Sequence, residues 1–102
     1  MPSSGNVFID LELPDAAERQ TKVRLALTIN RIFEQRRLTQ AEAARELGTN
    51  QPTISALSHY RLDGSSAERL LLFLNALEHD VEIVIRPKLR SQRPARIVVT
   101  AA

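Results

Sequence analysis

Four polar, uncharged side chains lie close together in the chain, at Gln51, Thr53, Ser55 and Ser58. Their amide and hydroxyl groups donate and accept hydrogen bonds, but none is a nucleophile without an activating neighbour. The stretch 50–60 that contains them has no Lys and no Arg. The chemistry that these residues can perform is therefore recognition through hydrogen bonds.

Catalytic and metal-binding residue types show no comparable clustering. His59 and His79 are far apart in the sequence, and neither is flanked by further ligand-type residues, which argues against a metal site. Glu42, Glu46 and Glu68 are explained by helix caps and solvated helix faces. A glycine-rich phosphate loop, a nucleophile elbow and a paired-carboxylate motif are all missing from the sequence. The sequence predicts neither an enzyme nor a bound cofactor.

Two short helices joined by a tight turn are predicted to hold the polar residues. The segment 39–42, Thr-Gln-Ala-Glu, has the form of a capping box and starts a helix that runs to Leu47. Gly48 follows, where the chain must take a left-handed turn. Ile54 and Leu57 have the spacing that places both on the inner face of the second helix. The spacing fits a helix-turn-helix between residues 40 and 59.

Pro52 stands where the second of these helices begins. The N–H groups in the first turn of a helix have no intrahelical acceptor, so a proline there loses no hydrogen bond. Pro52 therefore indicates the start of a helix. Proline also disfavours helical geometry at the preceding residue, Gln51. Two registers remain open: Asn50 caps the helix and Pro52 is its second residue, or Gln51 caps it and Pro52 is its first.

Two further helices are predicted to flank this pair. The segment 15–18, Asp-Ala-Ala-Glu, resembles a capping box and starts a helix over about 15–36. The segment 65–68, Ser-Ser-Ala-Glu, starts another through Leu77. The predicted core face of this last helix consists of Leu70, Phe73, Leu74 and Leu77. Leu71 and Leu72 fall outside that stripe, and a helix that is apolar on more than one side is buried on more than one side. This favours a second subunit.

Residues 80–86 alternate between apolar and polar and predict a β-strand that ends at Pro87. A single strand needs a partner for its backbone groups. The segment 97–100 could return as that partner, or the same strand of a second subunit could pair with it across a two-fold axis. The second arrangement is favoured because it agrees with the surplus apolar face of the preceding helix.

Composition restricts the class of protein. The 102 residues suit one small domain, and the absence of cysteine excludes disulfides and thiolate metal sites. Neither a secretion signal nor a membrane-spanning apolar run is evident, so we expect a cytoplasmic protein with no membrane partner. Five of the 14 basic residues lie beyond residue 85, without any acid. This basic tail attracts nucleic acid or acidic protein surfaces, or it simply keeps the chain solvated.

The stretch 39–57, TQAEAARELGTNQPTISAL, resembles the Xre, or Cro/C1-type, helix-turn-helix family, and the likeness extends over residues 24–77. The flanking segments, SSGNVFIDLELPDA and AERLLLFLNALEHDVEIVIRP, resemble the HigA-like antitoxin branch of that family. The resemblance implies a mainly α, four- to five-helix DNA-binding domain, here with a C-terminal β-strand that pairs across a dimer. It also implies repression of the protein's own operon and a RelE/HigB-like toxin as a partner.

In the family, the second helix of the motif enters the major groove and its N-terminal residues contact base edges. Carried over by position, Gln51 reads adenine N6 and N7 with its amide, and Thr53 contacts a base edge or a thymine methyl. Ser55 and Ser58 reach bases or phosphates. Tyr60 either bonds a phosphate or closes the core. The DNA-binding residues that the resemblance implies are Gln40, Asn50, Gln51, Thr53, Ser55, Ser58, Tyr60 and Arg61.

Three functions are compatible with these residues: a repressor that is also an antitoxin, a stand-alone Xre-type regulator without a toxin, and a protein-interaction module on the same fold. The expected partners are double-stranded operator DNA, a second copy of the chain and, for the first function, the toxin; a small-molecule substrate is not expected. The predicted segments are an apolar arm (1–14), the helix-turn-helix domain (15–78), a dimerisation strand (79–87) and a basic tail (88–102).

Overall fold

The computed structural model describes residues 12–88, 90 and 94–101, and four α-helices form within them. This agrees with the predicted, mainly α fold. The helices are α1 (Glu12–Arg36), α2 (Gln40–Leu47), α3 (Gln51–Ser58) and α4 (Ala67–Ala76).

Helix α1 begins at Glu12 rather than at residue 15 as predicted. Pro14 therefore lies in the first turn, where its missing N–H has no intrahelical acceptor, so it does not break the helix. Asp15 accordingly lies inside α1 and is not its N-cap. Residues 1–11, which make up most of the predicted apolar arm, lie outside the described residues.

The capping box that was predicted to start α2 is confirmed. The Thr39 N–H donates to Glu42 Oε1 at 2.8 Å, and the Glu42 N–H donates to Thr39 Oγ1 at 3.1 Å. The Thr39 backbone N–H, together with the Thr39 side chain, holds the pKa of Glu42 below its ordinary value. Glu42 is therefore ionised, and the box intact, at any pH where an ordinary glutamate is ionised.

The start of α4 differs from the prediction by one residue. The N-cap is Ser66, not Ser65, and Ser66 Oγ accepts a hydrogen bond from the Arg69 N–H at 3.1 Å. The third helical residue is then Arg69 instead of Glu68, so the predicted capping box does not form. Two adjacent serines offer the same cap chemistry, so their residue types alone do not distinguish them.

The core lies where all four helices meet. Helix α1 packs against α3 and α4, and α2 packs against the same two helices. The predicted core face of α4 is confirmed, because its four residues are buried, and so are Ile54 and Leu57 on α3. The buried apolar residues are Leu25, Ala26, Ile29, Ile32, Phe33, Ala43, Ala44, Leu47, Ile54, Leu57, Leu62, Leu70, Phe73, Leu74 and Leu77.

All four helices are followed by a residue in the left-handed conformation. Gly48 takes this role after α2, as predicted, with φ of 67°. The other three positions are not glycine: Arg37 (φ 54°), Tyr60 (φ 59°) and Glu78 (φ 65°). In each case the N–H of the next residue donates back to a carbonyl in the last turn, as from Leu38 to Phe33 at 3.0 Å. These bonds close each helix C-terminus and offset the steric penalty of the side chain.

The predicted strand over 80–86 is absent from the described residues of the single chain. Val81 packs against the core, but Ile83 and Ile85 are 75% and 90% exposed. The segment 97–100 does not pair with it either; Val99 packs against the core while Ile97 is 71% exposed. A strand requires a ladder partner, and the described part of this chain supplies none. None of the described helices is long and apolar enough to span a membrane.

Candidate nucleic-acid interface

The first turn of α3 is held by Asn50. Asn50 has extended backbone geometry, and its Oδ1 accepts hydrogen bonds from the Thr53 N–H at 2.9 Å and from the Thr53 hydroxyl at 2.8 Å. Of the two registers that the sequence allowed, the structure has the one in which Asn50 is the cap and Pro52 is the second helical residue. Gln51 is therefore the first residue of α3, and it is exposed.

Replacing Asn50 by alanine tests this cap. The Thr53 N–H loses its acceptor, so we expect the free energy of unfolding to fall by about 1 kcal/mol. For a domain of this size that corresponds to a fall of roughly 4–8 °C in the thermal midpoint. Asn50→Ser, which keeps an acceptor oxygen, is the matched control in the same thermal denaturation. Equal midpoints for the alanine and serine variants would contradict the role of the cap.

Thr53 is less available than the sequence suggested. Its side chain is partly buried, and its hydroxyl proton is donated to Asn50. What remains for a ligand is the acceptor capacity of the hydroxyl oxygen and the methyl group. Thr53 can therefore accept a hydrogen bond from a base amino group or contact a thymine methyl, but donating to a base would require breaking the bond to Asn50.

The predicted DNA-binding residues lie mainly at the two ends of α3. Gln40, Ser58 and Tyr60 all line a groove of about 320 Å³ between α1, α2 and α3. Asn50, Gln51 and Thr53 lie at the opposite end of α3. Ser55 and Ser58 are partly buried along α3, and Gln40 and Arg61 are exposed at the start of α2 and beyond α3. Tyr60 is 43% exposed and is not among the buried core residues.

One basic residue near the helix pair is already paired with an acid. Arg36 Nη2 lies 2.8 Å from Glu46 Oε2, in an ion pair between α1 and α2. The positive charge of Arg36 is therefore partly offset. Arg37, which follows it, is exposed in left-handed geometry.

Two side chains from outside the helix pair hold α3 in position. From α1, Asn30 Nδ2 donates to the Leu57 carbonyl at 3.1 Å, near the end of α3. From α4, Arg69 Nη2 donates to Thr49 Oγ1 at 3.1 Å, in the turn before α3. Neither residue was predicted, because both lie far from the motif in sequence. One feature of the sequence could have drawn attention to Arg69. It is a cation in the first turn of a predicted helix, where the helix dipole disfavours positive charge.

The hydrogen bonds described for the two histidine rings are local. His59 Nδ1 lies 2.8 Å from the Ser55 carbonyl, and His79 Nδ1 lies 3.0 Å from the Leu77 carbonyl. Within residues 16–88, 90 and 94–101, whose side chains are described, His, Asp and Glu form no group of three that could hold a metal ion. The exposed chemistry around α3 is therefore that of hydrogen-bond donors and acceptors.

The chain is similar to known proteins over most of its length. A family model described as a helix-turn-helix domain matches residues 7–86. A solved structure described as an XRE family transcriptional regulator is 60% identical, covers 87% of this chain and 100% of that chain, and superposes with a TM-score of 0.84. The chain belongs to the XRE family of helix-turn-helix regulators. Among curated proteins, none matches it significantly.

The family match extends beyond the four helices of this XRE-family chain. It ends at Arg86 and so includes the exposed apolar residues Ile83 and Ile85. Residues 87–102, which include the whole basic tail (88–102), lie outside the match. The part of the chain shared with the family thus comprises the DNA-binding motif and the apolar segment that follows it.

Proposed function

We propose that this chain is a sequence-specific repressor that binds a palindromic operator as a homodimer, with α3 of each protomer in the major groove. The observation that carries the proposal is the first turn of α3. Gln51 is exposed at its start, and the Asn50 cap and Pro52 restrict the backbone that presents it. A glutamine whose backbone is held in this way is suited to reading a base edge with its amide.

Residue roles follow from position and hydrogen bonding. Gln51 reads an adenine with its amide, and Thr53 contacts a thymine methyl or accepts from a base amino group. Ser55 and Ser58 contact bases or phosphates along α3. Asn50 serves chiefly as the cap, with its amide nitrogen available to a phosphate. Gln40, Tyr60 and Arg61 contact the DNA backbone, where Arg61 makes binding salt-sensitive.

The composition of the α3 surface favours DNA over a protein partner. The stretch 50–60 has no acid, and its exposed or partly exposed residues at Gln51, Thr53, Ser55 and Ser58 are polar. An interaction module would be expected to present an apolar or acidic surface there. We therefore rank the interaction module below the two regulator functions.

Binding to the operator is tested by titrating labelled DNA from upstream of the gene, and random DNA of equal length, at matched salt. The proposal expects at least a tenfold preference for the upstream DNA, since specific binding exceeds non-specific binding by about 10³-fold or more in typical repressors. Equal affinity for both DNAs over the whole salt range would contradict sequence-specific recognition.

Dimerisation supplies affinity that one motif lacks. The stretch 50–60 has no Lys or Arg, so a single protomer makes few charge contacts with phosphate. Two protomers that present α3 about 34 Å apart bind both half-sites of an operator together. The exposed aliphatic residues available to hold the dimer include Leu27, Leu72, Ile83, Val84, Ile85, Ile97 and Val98. Pairing of the 79–87 segments across a two-fold axis would supply the ladder partner that each lacks alone.

Deleting residues 79–102 is expected to yield monomers, measured by analytical ultracentrifugation. Because Val81 and Val99 pack against the core, the deletion also removes core contacts. A second variant therefore separates loss of dimerisation from loss of folding. In the double variant Ile83→Lys, Ile85→Lys, two highly exposed apolar residues become charged while the contacts of Val81 and Val99 remain. Glu82→Lys is the control. A dimer that survives the double substitution would rule out pairing through this segment.

The antitoxin role deepens this proposal and rests on the HigA-like flanks of the sequence. A RelE/HigB-like toxin would bind a surface other than α3, such as the N-terminal arm or α1. Co-expression of the chain with the product of the adjacent gene, followed by co-purification and a growth assay, tests it. Neutralisation of a toxic neighbour supports the antitoxin, and operator binding without any such neighbour supports the stand-alone regulator.

A further inference from the structure

Arg69 occupies an unusual place for a positive charge. It is the third residue of α4, and its N–H donates to the Ser66 cap at 3.1 Å. The N-terminal turn of a helix carries partial positive charge, which disfavours a cation by a few tenths of a kcal/mol. The guanidinium is nevertheless held there by two contacts, and both contacts are to neutral groups.

The first contact is the hydrogen bond from Arg69 Nη2 to Thr49 Oγ1, at 3.1 Å. The second is to the ring of Phe73, whose centroid lies 5.2 Å from Arg69 Cζ. These contacts fix the position of the guanidinium without neutralising it. The ion pairs present among residues 16–88, 90 and 94–101 use Lys22 and Arg36 instead.

The position of this charge relative to α3 indicates its use. Thr49 directly precedes Asn50, the residue that caps α3. An α-helix with its side chains is about 10–12 Å wide and fills a major groove about 12 Å wide. The Arg69 guanidinium, bound to Thr49 just before such a helix, would therefore lie near the wall of the groove. Phosphates line that wall.

We propose that Arg69 contacts a DNA phosphate at the edge of the groove that α3 enters. This inference rests on the proposed DNA-binding function. The guanidinium has five N–H donors, and its bond to Thr49 uses one of them, so a bidentate contact with a phosphate remains possible. Arg69 thereby supplies a cation to the interface that the stretch 50–60 lacks. It also links the phosphate to the turn that sets the start of α3.

The salt dependence of operator binding tests the contact. Each phosphate contact contributes about 0.9 to the slope of log K against log salt concentration. Arg69→Gln is expected to reduce the slope by about that amount for each protomer bound. Raising the salt concentration from 50 to 200 mM should then weaken DNA binding by the variant roughly threefold less, per protomer, than binding by the unmodified chain. An unchanged slope would overturn the proposal.

Two control variants separate the phosphate contact from a purely structural role. Thr49→Val removes the hydrogen bond but keeps the charge, so its slope should equal that of the unmodified chain even if its affinity falls. Arg24→Gln removes an exposed charge on α1 and should also leave the slope unchanged. If Thr49→Val and Arg69→Gln lower the affinity equally at every salt concentration, Arg69 only positions the turn and the phosphate contact is wrong.

A second measurement covers the case in which Arg69→Gln does not fold. Arg69→Lys keeps the charge and much of the stem but loses the planar fork. Operators with one neutral methylphosphonate at each successive position are titrated with both proteins. The proposal expects one phosphate position per half-site with a distinct response. Neutralising that phosphate should cost the lysine variant at least threefold less DNA affinity than it costs the unmodified chain. Equal losses at every position would overturn the contact. Failure of the unmodified chain to prefer its operator would instead reject the proposed function.

Discussion

Replacing Gln51 by alanine is expected to abolish discrimination between the operator and random DNA while leaving the thermal midpoint nearly unchanged. A bidentate amide contact with adenine contributes about 1–3 kcal/mol of discrimination, which is roughly 5- to 150-fold for each half-site. Gln51 is exposed at the first position of α3, and alanine is a good helix former, so the fold should tolerate the change.

The measurement is a pair of titrations, with operator and random DNA, at one salt concentration. Gln20→Ala, which changes an exposed glutamine on α1, is the matched control and should keep full discrimination. If the Gln51 variant binds the operator as tightly as the unmodified chain, base readout by Gln51 is wrong. If its thermal midpoint falls by several degrees, the loss of binding reflects a disturbed α3 and not a lost base contact.

Replacing Leu70 by alanine is expected to cause a much larger loss of stability than the same change at Leu72. Leu70 is 0% exposed at the centre of the four-helix core, whereas Leu72 on the same helix is 58% exposed. Truncating a buried leucine lowers the free energy of unfolding by about 2–5 kcal/mol through lost burial and the cavity that remains. Since small domains have only about 5–15 kcal/mol in total, the Leu70 variant should be close to unfolding at 37 °C.

Urea denaturation followed by circular dichroism gives the free energy of unfolding for each variant. For Leu72→Ala we expect a change within about 0.5 kcal/mol at low protein concentration, as for other exposed sites. A concentration-dependent loss at Leu72 alone would show that a second subunit covers it. Equal losses at Leu70 and Leu72 at every protein concentration would contradict the described packing of α4.

Much of the helix-turn-helix could be predicted because its signals are local. The capping box at 39–42, the left-handed Gly48 and the apolar pair Ile54 and Leu57 each act within one or two helical turns, and the structure has all of them. The other helix ends carried no such signal. Arg37, Tyr60 and Glu78 adopt left-handed geometry without being glycine, because closing hydrogen bonds compensate for their steric penalty.

The candidate site was predictable in part. The sequence placed Gln51 at the start of α3 but left its cap open between Asn50 and Gln51 itself, since both fit the preferences around Pro52. It also gave no indication that the Thr53 hydroxyl would be taken up by Asn50. Arg69 escaped prediction, because its contact joins α4 to Thr49 in the turn between α2 and α3, 20 residues away in the sequence.

The sequence by itself determined where α2 begins, where the chain turns between the two motif helices and which of their residues face the core. These outcomes depend on backbone geometry and on periodicity within short segments, which residue types specify directly. Only the tertiary structure decided which serine caps α4, which register α3 adopts and which distant side chains hold α3 from either end. Those outcomes depend on how α1 and α4 pack around the motif, and side-chain contacts between separate helices leave no local pattern in the sequence.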